Sequence, residues 1–394
     1  MKRLLLLIPC LVIIISISSF AICAINIKEQ PNLKVFNNCN QIKLKDVPIK
    51  INNEVLLSDT DLLPIIGIRA DTNNAIWDAK KKVLTLKSGK TTVIITMGSN
   101  KSKLNNKNII LNSTATIYEN KRYLPVASII HAFNKETALD NILPYFYIRS
   151  KVDFDNIKKV LDKSISSMNF LISYRMTENT TSTHINISNK TTYTFENTAT
   201  TEIDRKNKIY FYQGETELLG TISKYYGYTV NKTSYTNSEY FGDGLGKWKA
   251  DPITEKSFED YLAGLDYCNS INTRNVLYAG LKLLTSPDNK SLLLKGNIFP
   301  LTKFEQNDKT YMKNYAINAK DGSIEIVIDK ATNHITSFTK NFSYLDNATK
   351  QRDYNTLFSF DKFNAIKEIK LPNYIVEDQK KNKSTTGGAI EPKI

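Results

Sequence analysis

Histidine is almost missing from this chain: His131, His184 and His334 are the three in 394 residues. A two- or three-histidine metal centre would have to gather most of them, which leaves little material for imidazole-based metal chemistry. Cysteine is nearly as scarce. Of the four, Cys10 and Cys23 fall in an N-terminal apolar run, so only Cys39 and Cys268 remain. Two thiols 229 positions apart are not a disulfide framework, and pairing and staying free are both open to them. With no C-x-x-C there is no zinc ribbon and no dithiol redox site. G-x-S-x-G, H-E-x-x-H and EF-hand loops are also absent. The stretch Gly242 to Trp248 has only three residues between Gly242 and Gly246, and Trp248 follows Lys247 where a phosphate loop needs Ser or Thr. It reads as a glycine-rich hairpin turn. Beyond the first 24 residues there is no long apolar run, which excludes a multi-span membrane protein.

What is present fits a folded chain. Hydrophobic residues make up 41% and charged residues 23%. At roughly 150 residues per domain the length suggests two or three domains. Basic residues number 53 against 39 acidic, a net charge of +14. They are dispersed, with only short clusters such as Lys80-Lys81-Lys82, so they read as a solvated lysine-rich surface. Such a surface tolerates a cell-wall polymer or an anionic membrane; a nucleic-acid partner is not expected. Asp and Glu are plentiful, but no spacing singles out an acid/base pair. His184 reads as an exposed strand histidine facing away from Ile185 and Ile187.

Residues 1–24 combine Lys2-Arg3, an apolar stretch from Leu4 to Ile17 and small residues ending at Ala24, which reads as a signal peptide. Cleavage after Ala24 and retention as an uncleaved anchor both suit it. Lipidation at Cys23 suits it badly, because Ile22 stands where a small residue belongs. Residues 25–45 read as a polar N-terminal arm, 46–149 as a first unit, 153–376 as a second, and 377–394 as a disordered tail with a Gly-Gly pair.

The first unit holds an internal repeat of strand, turn, strand, short helix and strand. Asn52-Asn53 and Glu119-Asn120 mark its turns. Leu63-Pro64 and Leu124-Pro125 lie 61 apart, and Asp78 and Asp140 lie 62 apart. Ile51-Asn52-Asn53, Leu63-Pro64, Trp77-Asp78, Lys82-Val83, Met97-Gly98-Ser99 and Asn120 to Pro125 together resemble the copper amine oxidase N-terminal, or stalk, domain of Gram-positive secreted proteins. The pattern departs at Ile66, where arginine is usual, and at Leu139, where the second copy lacks its tryptophan. The resemblance implies an α+β spacer or attachment module whose motif residues Pro64, Trp77, Asp78, Gly98, Arg122 and Pro125 are structural. It implies no copper site and no oxidase chemistry. The nearest string to a quinone-forming tyrosine motif, Pro372-Asn373-Tyr374-Ile375, has Ile where an acid is required.

The second unit opens on apolar residues Phe154, Ile157, Val160, Leu161, Ile165 and Met168 at helical steps. Strand-like runs follow, then a helical pattern at Phe258 to Leu265 and an apolar stretch from Val276 to Leu284, then alternating strands at 322–330 and 335–344. This is an α+β pattern. The opening helix, the Gly246-Lys247-Trp248 turn, the turn at Ile328 to Ile335 and the close at Phe360 to Pro372 resemble the LolA/LppX-like lipoprotein-carrier half-barrel. That resemblance implies a curved antiparallel half-barrel packed on a long N-terminal helix and holding acyl chains or an apolar partner. The chain's aromatic residues could line it, with Tyr174, Phe338, Phe342 and Tyr344 as candidates, or simply fill the core. The reading is therefore a secreted or cell-surface, non-enzymatic envelope protein without cofactor. It would bind a lipid or an apolar peptide. The alternatives are a wall hydrolase with a carboxylate pair and a purely structural adaptor.

Overall fold

The structure is a computed structural model and describes residues 26–69, 72–140, 142–238, 248–253, 274–301, 309–310, 313 and 318–386. The signal sequence, the glycines before Trp248, the helical pattern at 258–265 and Cys268 lie outside the described residues.

The first part of the chain runs β1 (Lys28–Glu29), β2 (Lys34–Asn37), β3 (Asn40–Ile42), β4 (Ile49–Ile51), β5 (Glu54–Ser58), α1 (Asp59–Ile65) and β6 (Ala75–Asp78). It continues with β7 (Val83–Ser88), β8 (Thr91–Thr96), β9 (Ser99–Leu104), β10 (Lys107–Tyr118), β11 (Lys121–Pro125), α2 (Val126–Ala132), β12 (Lys135–Leu139) and β13 (Tyr145–Ser150). Nine of these strands form one sheet in the order β1-β4-β5-β11-β10-β9-β8-β7-β6, and four form another in the order β12-β13-β2-β3.

The repeat is present as β4-β5-α1-β6 and β10-β11-α2-β12. Its two hairpins turn on Asn52-Asn53 (φ 49° and 65°) and Glu119-Asn120 (φ 49° and 62°). Two successive left-handed residues give a hairpin turn whose twist matches its strands. Asn52 and Glu119 are 67 apart, and β5 pairs with β11 antiparallel through Leu57 and Leu124. The Leu-Pro pairs are therefore not equivalent positions. Pro64 lies inside α1, whereas Pro125 ends β11 and caps α2. The connection after α1 spans 66–74 and that after α2 only 133–134, so Asp78 ends β6 whereas Asp140 lies just beyond β12.

Residues 25–45 are not a free arm. Val35 is fully buried, and Leu33, Ile42 and Leu44 pack against the same core as α1 and α2. The buried Asp61 carboxylate accepts the amides of Lys45 (2.8 Å) and Asp46 (3.0 Å), which ties the segment to the start of α1. Polar composition hid this because the apolar residues alternate singly with lysine and asparagine.

The second part begins with α3 (Lys151–Asn169). The Ser150 side chain caps it by accepting the Asp153 amide (3.2 Å), and Arg205 donates to the carbonyls of Met168, Asn169 and Leu171 at its end. Then come β14 (Ser173–Asn186), β15 (Thr191–Asp204), β16 (Ile209–Leu218), β17 (Thr221–Val230), β18 (Thr233–Ser238) and β19 (Lys249–Pro252). After α4 (Asn275–Gly280) follow β20 (Lys282–Thr285), β21 (Ser291–Gly296), β22 (Ala319–Asp329), β23 (Ile335–Asn347), β24 (Lys350–Asp361) and α5 (Asn373–Thr386). These strands form one antiparallel sheet of eleven, ordered β19-β18-β17-β16-β15-β14-β24-β23-β22-β21-β20. The Asp329 carboxylate shapes the β22–β23 turn by accepting the Thr332 amide (2.8 Å) and hydroxyl (2.7 Å). Asn364 returns the chain to β14 by accepting the Ile172 amide (2.8 Å).

The sheet does not wrap α3 as the half-barrel resemblance implied. The helix is wedged against α4, β12 and β13 as well as touching β23. Phe154 meets Tyr278 edge-on with ring centroids 5.4 Å apart, and the Tyr278 hydroxyl donates to Asp162 (3.0 Å). The supposed tail also carries structure. Helix α5 buries Ile375 with Val230 and Tyr235, and the Tyr235 hydroxyl donates to Asp378 (2.8 Å). The helix starts inside the second unit as read from the sequence, so its buried isoleucine precedes the polar residues from 377 onward.

The two units share a core in which Phe36, Tyr145 and Tyr147 cluster with Phe299, Phe342 and Tyr278. Polar contacts cross the same boundary. The Tyr147 hydroxyl donates to the Asn297 carbonyl, buried Arg149 donates to the Leu281 carbonyl, and the Cys39 thiol donates to the Gly280 carbonyl (3.3 Å). Asp140, 4% exposed, accepts the amides of Ile142 (2.8 Å), Leu143 (3.3 Å) and Phe299 (3.4 Å). Arg274 donates to the Phe299 carbonyl (3.0 Å) and is coupled by charge to Asp140. Burial pushes the Asp140 carboxyl up and Arg274 down, each opposed by the other's charge. Asp140→Ala leaves three buried backbone amides without their acceptor, at a cost of about 1–3 kcal/mol. The variant is expected to lower the unfolding free energy by about that amount, read from the urea midpoint. A midpoint within about 0.5 kcal/mol of wild type would show that Asp140 does not hold the junction.

Candidate functional site

The antiparallel register assigns the faces of the large sheet, because directly paired residues share one face. On the face that carries Tyr174, the rows climb from apolar to polar. Tyr174 stands beside Ile203 and Tyr210. Met176 faces Phe360, and Glu178 faces Phe358, itself paired with Phe338. Thr180 faces Thr356 and then Lys340; Ser182 faces Tyr354 and then Phe342; His184 faces Arg352 and then Tyr344.

The four candidate lining residues therefore share a face but not a depth. Tyr174 and Phe338 are buried among Met176, Ile326 and Phe358 and fill the core. Phe342 and Tyr344 sit higher, stacked with Tyr354. Phe342 and Tyr354 rings lie 4.9 Å apart at 8°, and Tyr344 and Tyr354 lie 6.0 Å apart at 4°. Burial, with the neighbouring Tyr354, pushes the Tyr344 phenol well above its ordinary value. Below this ladder the Lys340 ammonium lies 5.8 Å from the Phe342 ring and 5.7 Å from the Phe358 ring. Thr180 donates to Glu178 (2.8 Å) and bonds Thr356 (2.9 Å), while Thr216 and Tyr225 both donate to Asn197. His184 is half-buried rather than exposed. Its Nδ1 meets the Tyr193 hydroxyl at 2.9 Å, and burial with Arg352 nearby pushes its imidazole below the ordinary value. Arg352 is paired with Asp346.

Sequence reasoning missed Tyr354 and Arg352. The signal was there in the alternation Arg352, Tyr354, Thr356, Phe358, Phe360, which continues down to the phenylalanines that were noticed. Among the described residues no group of three His, Cys, Asp or Glu side chains gathers.

The stalk motif residues are scattered over several elements. Arg122 on β11 donates to Asp59 at the start of α1 (2.6 Å) and lies over the Trp77 ring of β6 at 4.9 Å. Three elements are thereby joined through one guanidinium. Gly98 turns β8 into β9 at φ +83°, a conformation that side chains rarely adopt. Asp78 accepts the Lys81 amide (3.0 Å), and exposed Pro64 makes no contribution to the cluster around Arg122.

This geometry defines a β-rich protein of two units that share one buried junction. Residues 36–148 match the family described as the copper amine oxidase N-terminal domain, and that unit is a domain of this type. No curated protein matches the chain. Among solved structures the chain is similar to the lipoprotein LppX of Mycobacterium tuberculosis, at 11% identity and a TM-score of 0.31, covering 55% of this chain and 99% of that one. A β-barrel-like protein of unknown function from Brucella abortus is similar at 9% identity and a TM-score of 0.18, over 48% and 98% of the two chains. The YwiB protein of Bacillus subtilis is similar at 7% identity and 0.15, over 48% and 92%. These scores carry no weight beyond the antiparallel sheet already described.

Asp46, between the anchored segment and the repeat, gives a pH signature. The Lys121 ammonium 2.7 Å away, with Ser58 and Thr60, holds its carboxyl below the ordinary carboxylate range against the opposing effect of burial. Unfolded Asp46 takes up its proton near about 3.9, above the folded value. Its contribution is complete above that pH and vanishes as pH falls through the lower folded value. Asp46→Asn is expected to lose less stability than wild type between about pH 6 and pH 3, by urea unfolding at each pH. Equal losses would refute the assignment.

Proposed function

We propose that this is an extracytoplasmic, non-enzymatic binding protein. Its copper amine oxidase N-terminal domain serves as the spacer or attachment unit, and the large sheet binds an apolar-bodied ligand such as a lipid. The observation that carries this reading is the gradient on the inner sheet face. Core aromatics continue upward into the Phe342–Tyr344–Tyr354 ladder, which ends at Arg352 and His184. An apolar ligand needs a mostly apolar wall and a few polar anchors to orient it, and this row order supplies both. The N-terminal sequence supports export, and the basic balance suits an anionic envelope.

The test is binding of a fluorescent long-chain fatty acid by the intact protein, alongside mass spectrometry of lipid extracted from freshly purified material. Wild type is expected to bind. A half-buried aromatic covered by a ligand contributes on the order of 1.5 kcal/mol, so Tyr344→Ala should weaken binding about tenfold. Phe170→Ala, at an exposed position, should leave it unchanged. No uptake together with no co-purifying lipid would rule out the lipid reading and leave a structural adaptor.

A further inference from the structure

A second site lies at the junction, reaching the ladder only at Ala319, which pairs with Tyr344. Where the chain enters β2 and leaves β3, the segments 31–34 and 41–48 diverge and enclose a groove of about 700 Å³. Pro144-Tyr145 and Ala319-Lys320 complete it, so its walls come from both units. The walls are fixed by the backbone. The Gln30 amide donates to the Pro48 carbonyl (2.8 Å), the Lys34 amide donates to the Pro144 carbonyl (2.8 Å), and Asp61 holds the amides of Lys45 and Asp46. The segment alternates, so Ile42 and Leu44 point toward the core while Lys43 and Lys45 stay exposed.

The charge around the groove is mostly positive. Lys34, Lys43, Lys45 and Lys320 line it, and the Lys34 ammonium already leans on the Tyr145 hydroxyl (3.3 Å). Asp46 is the single carboxylate in the lining, and it is engaged by Lys121 (2.7 Å) and Thr60 (2.9 Å). Between the lysines lie Leu33, Leu44 and Val47, the last 41% exposed. A concave apolar floor with a cationic rim matches a molecule with an apolar body and an anionic end. A bilayer surface asks instead for a flat or protruding basic face.

We propose that this groove binds a single-chain anionic amphiphile, a long-chain carboxylate. Its chain lies along Leu33, Leu44 and Val47 and its head is held by Lys43, Lys45 and Lys320. The site is distinct from the aromatic ladder and stands whether or not the ladder binds lipid.

The probe is a fluorescent long-chain carboxylate, compared with its methyl ester, on the full chain. The carboxylate should bind more tightly than the ester and weaken as ionic strength rises from about 0.05 M to about 0.5 M, since exposed charges are screened. Reversing two rim charges in Lys43→Glu/Lys45→Glu should weaken the carboxylate about tenfold and leave the ester unchanged. Val47→Trp, which fills the floor at an exposed position, should abolish the salt-sensitive part of carboxylate binding, with an unchanged urea midpoint and whatever the effect of Tyr344→Ala. Lys87→Glu, outside the groove, should bind as wild type. The proposal is overturned if the double variant binds like wild type, if acid and ester bind alike, if only Tyr344→Ala removes binding, or if anionic vesicles bind and the free amphiphile does not.

Discussion

The buried charges at the junction are the constraint on which the rest of the molecule depends. Asp140 comes from the connection between β12 and β13, and Arg274 from just before α4. Each would be costly to bury alone. Asp140 accepts the amides of Ile142 and Leu143 and, from the other unit, of Phe299, while Arg274 donates to the Phe299 carbonyl. Arg149 repeats the logic by donating to a carbonyl beside α4. A buried pair of this kind contributes geometry more than net stability, because desolvation offsets its attraction. Here it sets the docking of one unit on the other, and hence the groove whose walls belong to both.

The same division between apolar and polar runs through the large sheet. Near α3 the inner face is made of Tyr174, Met176, Phe338, Phe358 and Phe360, all buried. Toward the far ends of β14, β23 and β24 it changes to threonine, serine, arginine and histidine while staying partly or wholly shielded. Buried hydroxyls are tolerated because neighbours on adjacent strands bond them, as Thr180 bonds Thr356. One face thus serves as hydrophobic core at one end and as a recognition surface at the other. The aromatic ladder is the transition between them.

Much of this was legible from periodicity. The helical steps from Phe154 to Met168 anticipated α3, and the alternation at Ile324, Ile326 and Ile328 anticipated β22. The two-residue turns at Asn52-Asn53 and Glu119-Asn120 marked the repeat, because asparagine tolerates left-handed backbone. The repeat's register misled, since the Leu-Pro pairs look alike while Pro64 and Pro125 occupy different elements. The segment 25–45 and the helix α5 were underrated for a common reason. Each buries only a few apolar residues, and those become visible as core only when their partners are known. Tyr174 and Phe338 could not be told from ligand-lining aromatics, since a core wall and a cavity wall have the same composition.

The sequence by itself determined the local pieces: the hairpin turns, the alternation that assigns strand faces, the amphipathic opening helix and the motif that marks residues 36–148. Those depend on contacts between near neighbours and on backbone preferences each residue carries with it. Only the tertiary structure decided which aromatics are core, that Asp140 accepts the Phe299 amide across more than a hundred residues, and that four lysines from three segments rim one groove. Such pairings depend on how whole sheets dock. Docking follows from the summed burial of many side chains, and no single spacing in the chain encodes it.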